Sequence, residues 1–140
     1  KFVYRDSLWE GADLLSAGVA SFGHFGGIHY QNQADVGPYM KEVDSGDLPI
    51  FRAYPTSHDE RFIREFVLQL KLGHTKPGYF IEKYGENPLE RFPDELKKLV
   101  DEGYFTASPE EITVSREGML QIDRLLHGFF RHRRRTVMRC

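Results

Sequence analysis

The residue types best suited to chemistry in this sequence follow one apolar segment. Residues 14–20 are apolar and rich in small side chains, which is typical of a short buried strand. Glycines then interrupt the chain at positions 23, 26 and 27, and polar side chains accompany them: His24, His29, Tyr30, Gln31 and Asn32. A strand that ends in glycines and polar residues is typical of a ligand site in α/β proteins. The same pattern equally fits a strand that leads into a glycine turn without a ligand.

Metal ligands and nucleophiles are the next candidates, and the spacing argues against both. The sequence contains six histidines and a single cysteine, Cys140. His24 and His29 lie five positions apart, with two glycines between them, and match no common zinc spacing. No serine or cysteine stands in the recognisable context of a nucleophile with its base. We therefore predict neither a metal ligand nor a catalytic residue in this chain.

Length and composition limit the class of protein. A chain of 140 residues suits one domain, or one domain with an appendage. The formal net charge of −2 gives no global attraction for nucleic acid or for an acidic membrane. No apolar run approaches the roughly 20 residues of a membrane helix, and no signal-peptide pattern is present. A single cysteine suits a reducing compartment, so the cytoplasm is the expected location.

The chain is predicted to divide into two parts, residues 1–52 and residues 53–140. In the first part, Asp35 and Pro38 indicate a short helix that ends at Gly46, and Pro49 indicates an extended connector. The single tryptophan, Trp9, is predicted to pack in a core or an interface.

Residues 53–140 are predicted to form a mainly helical domain. Ser57 and Glu60 form a capping box, Asn87 caps a later helix that Pro93 kinks or splits, and Ser115 caps the final helix. The predicted elements are a helix from Ser57 to Gly73, a helix over 77–84, a helix over 87–103, a hairpin of 104–107 with 112–114, and a helix from Ser115 to Phe130. This order is winged-helix-like, and the fold class is predicted to be α+β and mainly helical.

A winged helix suggests DNA binding, but the charges oppose it. The third helix would be the recognition helix, and four acids outnumber two lysines on its polar surface: Asp94, Glu95, Lys97, Lys98, Asp101 and Glu102. Acidic groups repel phosphate. The basic run 131–135 lies beyond the last helix and is read as a solvated tail, so no nucleic-acid partner is predicted.

The residues of the glycine-rich segment also carry a family resemblance. Gly11-Ala12-Asp13-Leu14-Leu15-Ser16-Ala17-Gly18-Val19-Ala20-Ser21-Phe22-Gly23, followed by Tyr30-Gln31-Asn32, resembles the last barrel strand of the oxygen-independent coproporphyrinogen III oxidases. These are radical S-adenosylmethionine (SAM) enzymes. The resemblance continues through Leu48-Pro49, residues 64–70 and the helical domain, and implies the C-terminal part of such an enzyme. Its fold would be the terminal strand of a radical SAM barrel followed by the winged-helix-like domain.

The resemblance also implies roles for particular residues. Gly18, Ala20, Ser21 and Phe22 fall on the segment that lines the SAM pocket, where Phe22 replaces an isoleucine that contacts adenine through its backbone. The family's next serine is Gly23 here, so that side-chain contact is lost. Gln31 and Asn32 match a Gln-Asn pair and are assigned to substrate binding, with a structural role as the alternative.

By the same resemblance, the whole enzyme would oxidatively decarboxylate coproporphyrinogen III to protoporphyrinogen IX in haem biosynthesis. It would use SAM and a [4Fe–4S] cluster on a tetrapyrrole substrate. One cysteine cannot hold a cluster that needs three closely spaced thiolates, so this chain alone is expected to bind no cofactor and to be inactive.

Other readings stay open. A haem-degrading relative fits the sequence as well, whereas Tyr4-Arg5-Asp6 stands where the haem-chaperone branch carries its haem-binding histidine. Outside the enzymes, a winged-helix interaction module is the alternative. The sequence begins at Lys1 and not at a methionine, and the apolar triplet Phe2-Val3-Tyr4 follows at once. We therefore expect a fragment of a longer protein. An apolar strand without its neighbours would also favour self-association through residues 14–22.

Overall fold

The computed structural model describes residues 3–130, and the chain is a mixed α+β protein with two small antiparallel sheets. It divides into two compact units, one up to Ser57 (unit 1) and one from His58 onward (unit 2). The division lies beyond residue 52 because a strand continues through the predicted connector. Within the described residues, no helix is long and apolar enough to cross a membrane.

Unit 1 is a three-stranded sheet with two helices. Its elements are α1 (Val3–Trp9), β1 (Phe22–Phe25), β2 (Ile28–Asn32), α2 (Val36–Asp44) and β3 (Ile50–Pro55), and the sheet order is β1-β2-β3. Gly26 and Gly27 join β1 to β2 with φ values of 57° and 79°, which is the left-handed geometry that a two-residue hairpin turn requires. The guanidinium of Arg5 lies 5.3 Å from the ring centre of Trp9, which is half-buried.

The predicted strand over residues 14–20 is wrong. Only Leu14 forms a bridge, to His24 of β1, and the segment then turns at Gly18 and Ala20, whose φ values are 104° and 60°. Left-handed backbone at two positions is incompatible with an extended strand. Gly23 was predicted to end the strand, but it lies inside β1, where it pairs with Tyr30 of β2.

Unit 2 contains the predicted helices in their predicted order. Its elements are α3 (His58–Leu70), β4 (His74–Thr75), α4 (Pro77–Tyr84), α5 (Pro88–Arg91), α6 (Pro93–Asp101), β5 (Phe105–Ala107), β6 (Ile112–Val114), α7 (Arg116–Met119), α8 (Ile122–Leu125) and α9 (His127–Phe130). The hairpin of β5 and β6 is confirmed, and β4, which was not predicted, adds to it in the order β4-β6-β5.

The final helix was predicted as one element and is observed as three. Ser115 does cap its start, since its hydroxyl accepts the Gly118 N–H at 3.1 Å. The helix is interrupted after Met119 and again after Leu125, and the Phe130 side chain is exposed. Cys140 and the basic run 131–135 lie outside the described residues.

An aromatic cluster forms the core of unit 2. Phe66 contacts four other phenylalanine rings, with centroids 5.2–6.3 Å away: Phe62, Phe80, Phe92 and Phe129. All five rings are fully buried. Aromatic rings bury large areas and gain further from edge-to-face contact, so this cluster dominates the stability of unit 2.

Unit 1 is built differently. Every buried hydrophobic side chain in the described residues belongs to unit 2, whereas the buried side chains of unit 1 are those of His24 and Asn32. Several large apolar residues of unit 1 are exposed instead: Leu15, Phe25, Ile28, Leu48 and Phe51. The sheet of unit 1 therefore presents apolar surface that its own side chains do not cover.

Candidate functional site

The polar centre of unit 1 is a loop of residues 16–21 closed by one asparagine. The Asn32 side-chain amide lies 3.3 Å from the Ser16 carbonyl oxygen, 3.1 Å from the Gly18 carbonyl oxygen and 3.1 Å from Ser21 Oγ. Ser21 Oγ in turn donates to the Gly18 carbonyl at 2.6 Å. Asn32 is 3% exposed. Its amide protons are therefore directed to the loop and not to solvent.

Two tyrosines hold the same loop through its backbone N–H groups. The Tyr30 phenol oxygen accepts the Ser16 N–H at 2.9 Å, and the Tyr39 phenol oxygen accepts the Gly18 N–H at 2.9 Å. Tyr30 belongs to β2 and Tyr39 to α2, so the loop is tied to a strand and to a helix. Tyr30 was among the polar side chains expected near a ligand site, but neither tyrosine was predicted to hold the loop. In the sequence, Tyr30 follows the glycines and Tyr39 lies in the predicted helix that ends at Gly46, and neither position by itself predicts a contact with the loop.

Backbone hydrogen bonds also connect the loop to residues 32 and 33. The Ala20 N–H donates to the Gln33 carbonyl at 2.7 Å, and the Asn32 N–H donates to the Ser21 carbonyl at 2.9 Å. Ala20 is the one non-glycine residue with positive φ in the described part of the chain. That conformation costs free energy for a residue with a Cβ, so the surrounding hydrogen bonds must stabilise it.

The two faces of the unit 1 sheet differ in chemistry because side chains alternate along a strand. One face carries Phe22, His29, Gln31 and Arg52 beside a groove of about 310 Å³. The Phe22 and His29 rings stack with centroids 5.7 Å apart, and Gln31 Oε1 accepts from Arg52 Nε at 2.8 Å. This face, the aromatic face of the sheet, combines aromatic and polar groups at the surface.

The opposite face borders an apolar cavity of about 500 Å³. Its apolar wall includes Leu15, Ile28, Leu48 and Ile50. The polar residues of its lining are Ser16, Tyr30, Asn32 and Tyr39. A cavity of this size and character is within the range that accommodates a small organic molecule or the side chains of another protein segment.

The predicted site residues therefore fall into two groups. Gly18, Ser21 and Asn32 come together in the loop, with Ala20 at its turn. Phe22 and Gln31 pair across β1 and β2 and belong to the aromatic face. The hydroxyl of Ser21 and the amide of Asn32 are bound to the loop itself, so they are not free side-chain ligands in this conformation.

A second polar cluster lies in unit 2 and joins α3 to α4. The buried Glu65 carboxylate accepts from Tyr79 Oη at 2.8 Å and from Lys83 Nζ at 2.9 Å, and Lys83 Nζ also donates to Tyr79 Oη at 2.8 Å. Burial raises the pKa of Tyr79. Burial lowers the pKa of Lys83, but its hydrogen bonds to Tyr79 and Glu65 outweigh this effect, and the net shift is upward.

Comparison with known proteins shows what this chain is similar to in sequence and in fold. No protein-family model matches the sequence. The sequence is 33% identical to oxygen-independent coproporphyrinogen III oxidase of Helicobacter pylori strain 26695 over 89 residues, which is 61% of this chain and 19% of that protein. The same enzyme of strain J99 is 26% identical over 137 residues, covering 88% of this chain and 29% of that protein.

The chain is homologous to part of oxygen-independent coproporphyrinogen III oxidase. A solved structure supports the fold: coproporphyrinogen III oxidase from Escherichia coli, a radical SAM enzyme, matches with a TM-score of 0.71 and 22% identity. That match covers 84% of this chain and 28% of the Escherichia coli chain. The present chain thus spans less than a third of each of these proteins.

The residues described here do not suit an iron–sulfur cluster. Within residues 3–130 no three His, Cys, Asp or Glu side chains are grouped so that they could hold a metal ion. The single cysteine of the sequence, Cys140, lies outside the described residues, and one thiolate is fewer than a cluster requires.

Proposed function

We propose that this chain is a part of a radical SAM enzyme that oxidatively decarboxylates coproporphyrinogen III to protoporphyrinogen IX. The observation that carries the proposal is the match to coproporphyrinogen III oxidases in both sequence and fold over most of this chain. The chain would contribute one wall of a site, and the cluster ligands would lie outside it. The chain alone would be inactive.

In this proposal the backbone of residues 18–22 contacts SAM, which supplies the radical chemistry when bound. Gly18 and Ala20 shape the turn, and Phe22 follows it as the first residue of β1. The side chains of Ser21 and Asn32 are already hydrogen-bonded within the loop. This supports contact with SAM through the loop backbone rather than through these side chains. Gln31 remains the candidate for a substrate contact, since it lies at the surface groove of the aromatic face.

A chimera tests this function. The homologous segment of the Helicobacter pylori oxidase is replaced by this chain, the cluster is reconstituted anaerobically, and conversion of coproporphyrinogen III is followed by chromatography. We expect product from the chimera and none from the oxidase that lacks the segment. A chimera with a full cluster and bound SAM that forms no protoporphyrinogen IX would contradict the proposal. Degradation of added haem by that same chimera would instead favour the haem-degrading relative.

The winged-helix interaction module is the competing proposal for unit 2, and the helix order followed by the β5–β6 hairpin supports that shape. The charges of α6 still disfavour DNA. Lys97 Nζ lies 2.6 Å from an oxygen of Asp101, the last residue of α6, and Lys98 Nζ lies 3.9 Å from an oxygen of Glu102, the residue that follows, so both lysines face acids. Fluorescence anisotropy with a labelled DNA duplex at low salt should show no binding; saturable binding would support the module.

We further propose that the apolar surface of unit 1 is covered by protein. In the whole enzyme the remaining segments would cover it, and in the isolated chain a second copy would do so. The exposed apolar side chains of unit 1 and the absence of buried hydrophobic ones among residues 3–57 support this.

A further inference from the structure

The loop of residues 16–21 is held in a conformation that its own sequence does not favour. Ala20 has a φ of 60°, which is strained for a residue with a Cβ, whereas Gly18 accommodates its φ of 104° because it is a glycine. Strain of this kind persists where neighbouring contacts over-determine the backbone, and it is concentrated at functional sites.

Asn32 is the group that contacts the most loop atoms. Its amide reaches the carbonyls of Ser16 and Gly18 and the hydroxyl of Ser21, while its own N–H donates to the Ser21 carbonyl at 2.9 Å. Two of the three side-chain partners are carbonyl oxygens, which only accept, so the position requires N–H donors. An aspartate of the same shape would direct a negative charge at two carbonyl dipoles in a buried place.

We propose that Asn32 is a positioning residue that fixes the backbone of residues 18–22 for contact with SAM, and that it does not bind substrate itself. This inference rests on the proposed function. Its side chain is buried under the loop, and its donors are used by loop atoms. Tyr39 assists from α2 by accepting the Gly18 N–H.

The first measurement uses this chain alone and does not depend on enzyme activity. Hydrogen exchange of the Gly18 and Ala20 amides is measured by NMR in the unsubstituted chain, in Asn32→Asp and in Gln33→Ala. Gln33 is the matched control, because its side-chain amide donates to Glu42 at 2.7 Å and not to the loop. We expect exchange to become at least about tenfold faster in Asn32→Asp, a ratio that the loss of two hydrogen bonds can produce, and to stay within about twofold in Gln33→Ala.

A rescue variant separates loop restraint from general damage. Ala20→Gly removes the strain of the positive φ, so in the Asn32→Asp background it should restore part of the protection of the Gly18 amide. If Ala20→Gly restores none, or if Asn32→Asp leaves exchange unchanged, Asn32 does not restrain the loop and the inference is wrong.

The second measurement tests the link to SAM in the chimera described above. By equilibrium dialysis, Asn32→Asp should raise the dissociation constant of SAM about tenfold, with the iron content and the KM for coproporphyrinogen III unchanged. A raised KM for the tetrapyrrole with unchanged SAM affinity would assign Asn32 to substrate binding and overturn the inference while the proposed function stands. If the unsubstituted chimera binds no SAM, the proposed function fails, and this inference fails with it.

Discussion

Gly23 and Tyr30 lie opposite each other across β1 and β2, and the Tyr30 ring occupies the space that a Cβ on Gly23 would need. The ring can then reach the loop, where its phenol oxygen accepts the Ser16 N–H at 2.9 Å. Glycine at position 23 is therefore required for packing and not for a turn.

Gly23→Ala should displace the Tyr30 ring and weaken the loop. Overpacking of this kind costs about 1–3 kcal/mol. Hydrogen exchange across residues 16–32 should accelerate, as followed by mass spectrometry. Gly37→Ala is the control, because a Cβ there meets nothing within 4 Å. Equal exchange in the two variants would show that the ring adapts without cost.

Phe66→Ala should destabilise unit 2 severely. The ring is fully buried among four other phenylalanines, and its removal leaves a cavity that costs about 3–5 kcal/mol. Urea denaturation followed by far-UV circular dichroism measures the loss. Leu120→Ala, at an 82% exposed position, should change the free energy of unfolding by less than about 0.5 kcal/mol. Similar losses for both variants would contradict the assigned core.

The stability of unit 2 should fall in alkaline solution. The pKa values of Tyr79 and Lys83 are raised in the folded chain, so folding favours their protonated forms. That stability is fully present below their ordinary pKa values of 10.0 and 10.5, and it is lost as the pH rises through the higher folded values. Urea midpoints measured from neutral pH to above pH 11 should show the fall, with the unfolded reference values near 10.

Glu65→Gln should flatten this pH dependence and lower stability at neutral pH by about 1.5–3 kcal/mol, the range for hydrogen bonds to a charged group. Lys98→Gln is the control, since it removes an exposed lysine of α6 that lies outside the Glu65 cluster. An unchanged slope in Glu65→Gln would mean that Tyr79 and Lys83 titrate independently of the carboxylate.

The isolated chain should self-associate through the apolar surface of unit 1. Leu48→Lys, at a 78% exposed position on the wall of the apolar cavity, should shift sedimentation towards the monomer. Leu120→Lys introduces the same charge at an equally exposed leucine of unit 2 and should leave association unchanged. A chain that sediments as a monomer at all concentrations would show that no second copy covers this surface.

Structural features that depend on residues close together in the sequence were predicted correctly more often than features that depend on distant residues. The caps at Asn87 and Ser115 were found because caps act within a few residues: Asn87 Oδ1 accepts the Leu89 N–H at 3.0 Å, and Ser115 Oγ accepts the Gly118 N–H at 3.1 Å. Asp35 does precede α2, but its side chain makes no capping hydrogen bond. The break at Pro93 between α5 and α6 was likewise local.

Non-local determinants were missed. Residues 14–20 have the composition of a strand, but their only ladder contact is the bridge from Leu14 to His24, and a bridge depends on the partner rather than on the segment. The pairing of β4 with β6 joins residues far apart in sequence and involves two residues, too few for a periodic signal. In the site, Ser21 and Asn32 were found by resemblance, but their mutual contact was not, because it requires the turn at Ala20.

The single tryptophan of the sequence belongs to α1 of unit 1, whereas the phenylalanine cluster and most of the helical residues belong to unit 2. Indole emission and far-UV ellipticity therefore report on different halves of the molecule. If the halves lose structure independently, the two signals will have different midpoints in one titration, and a fit to a single two-state curve would average two unrelated equilibria.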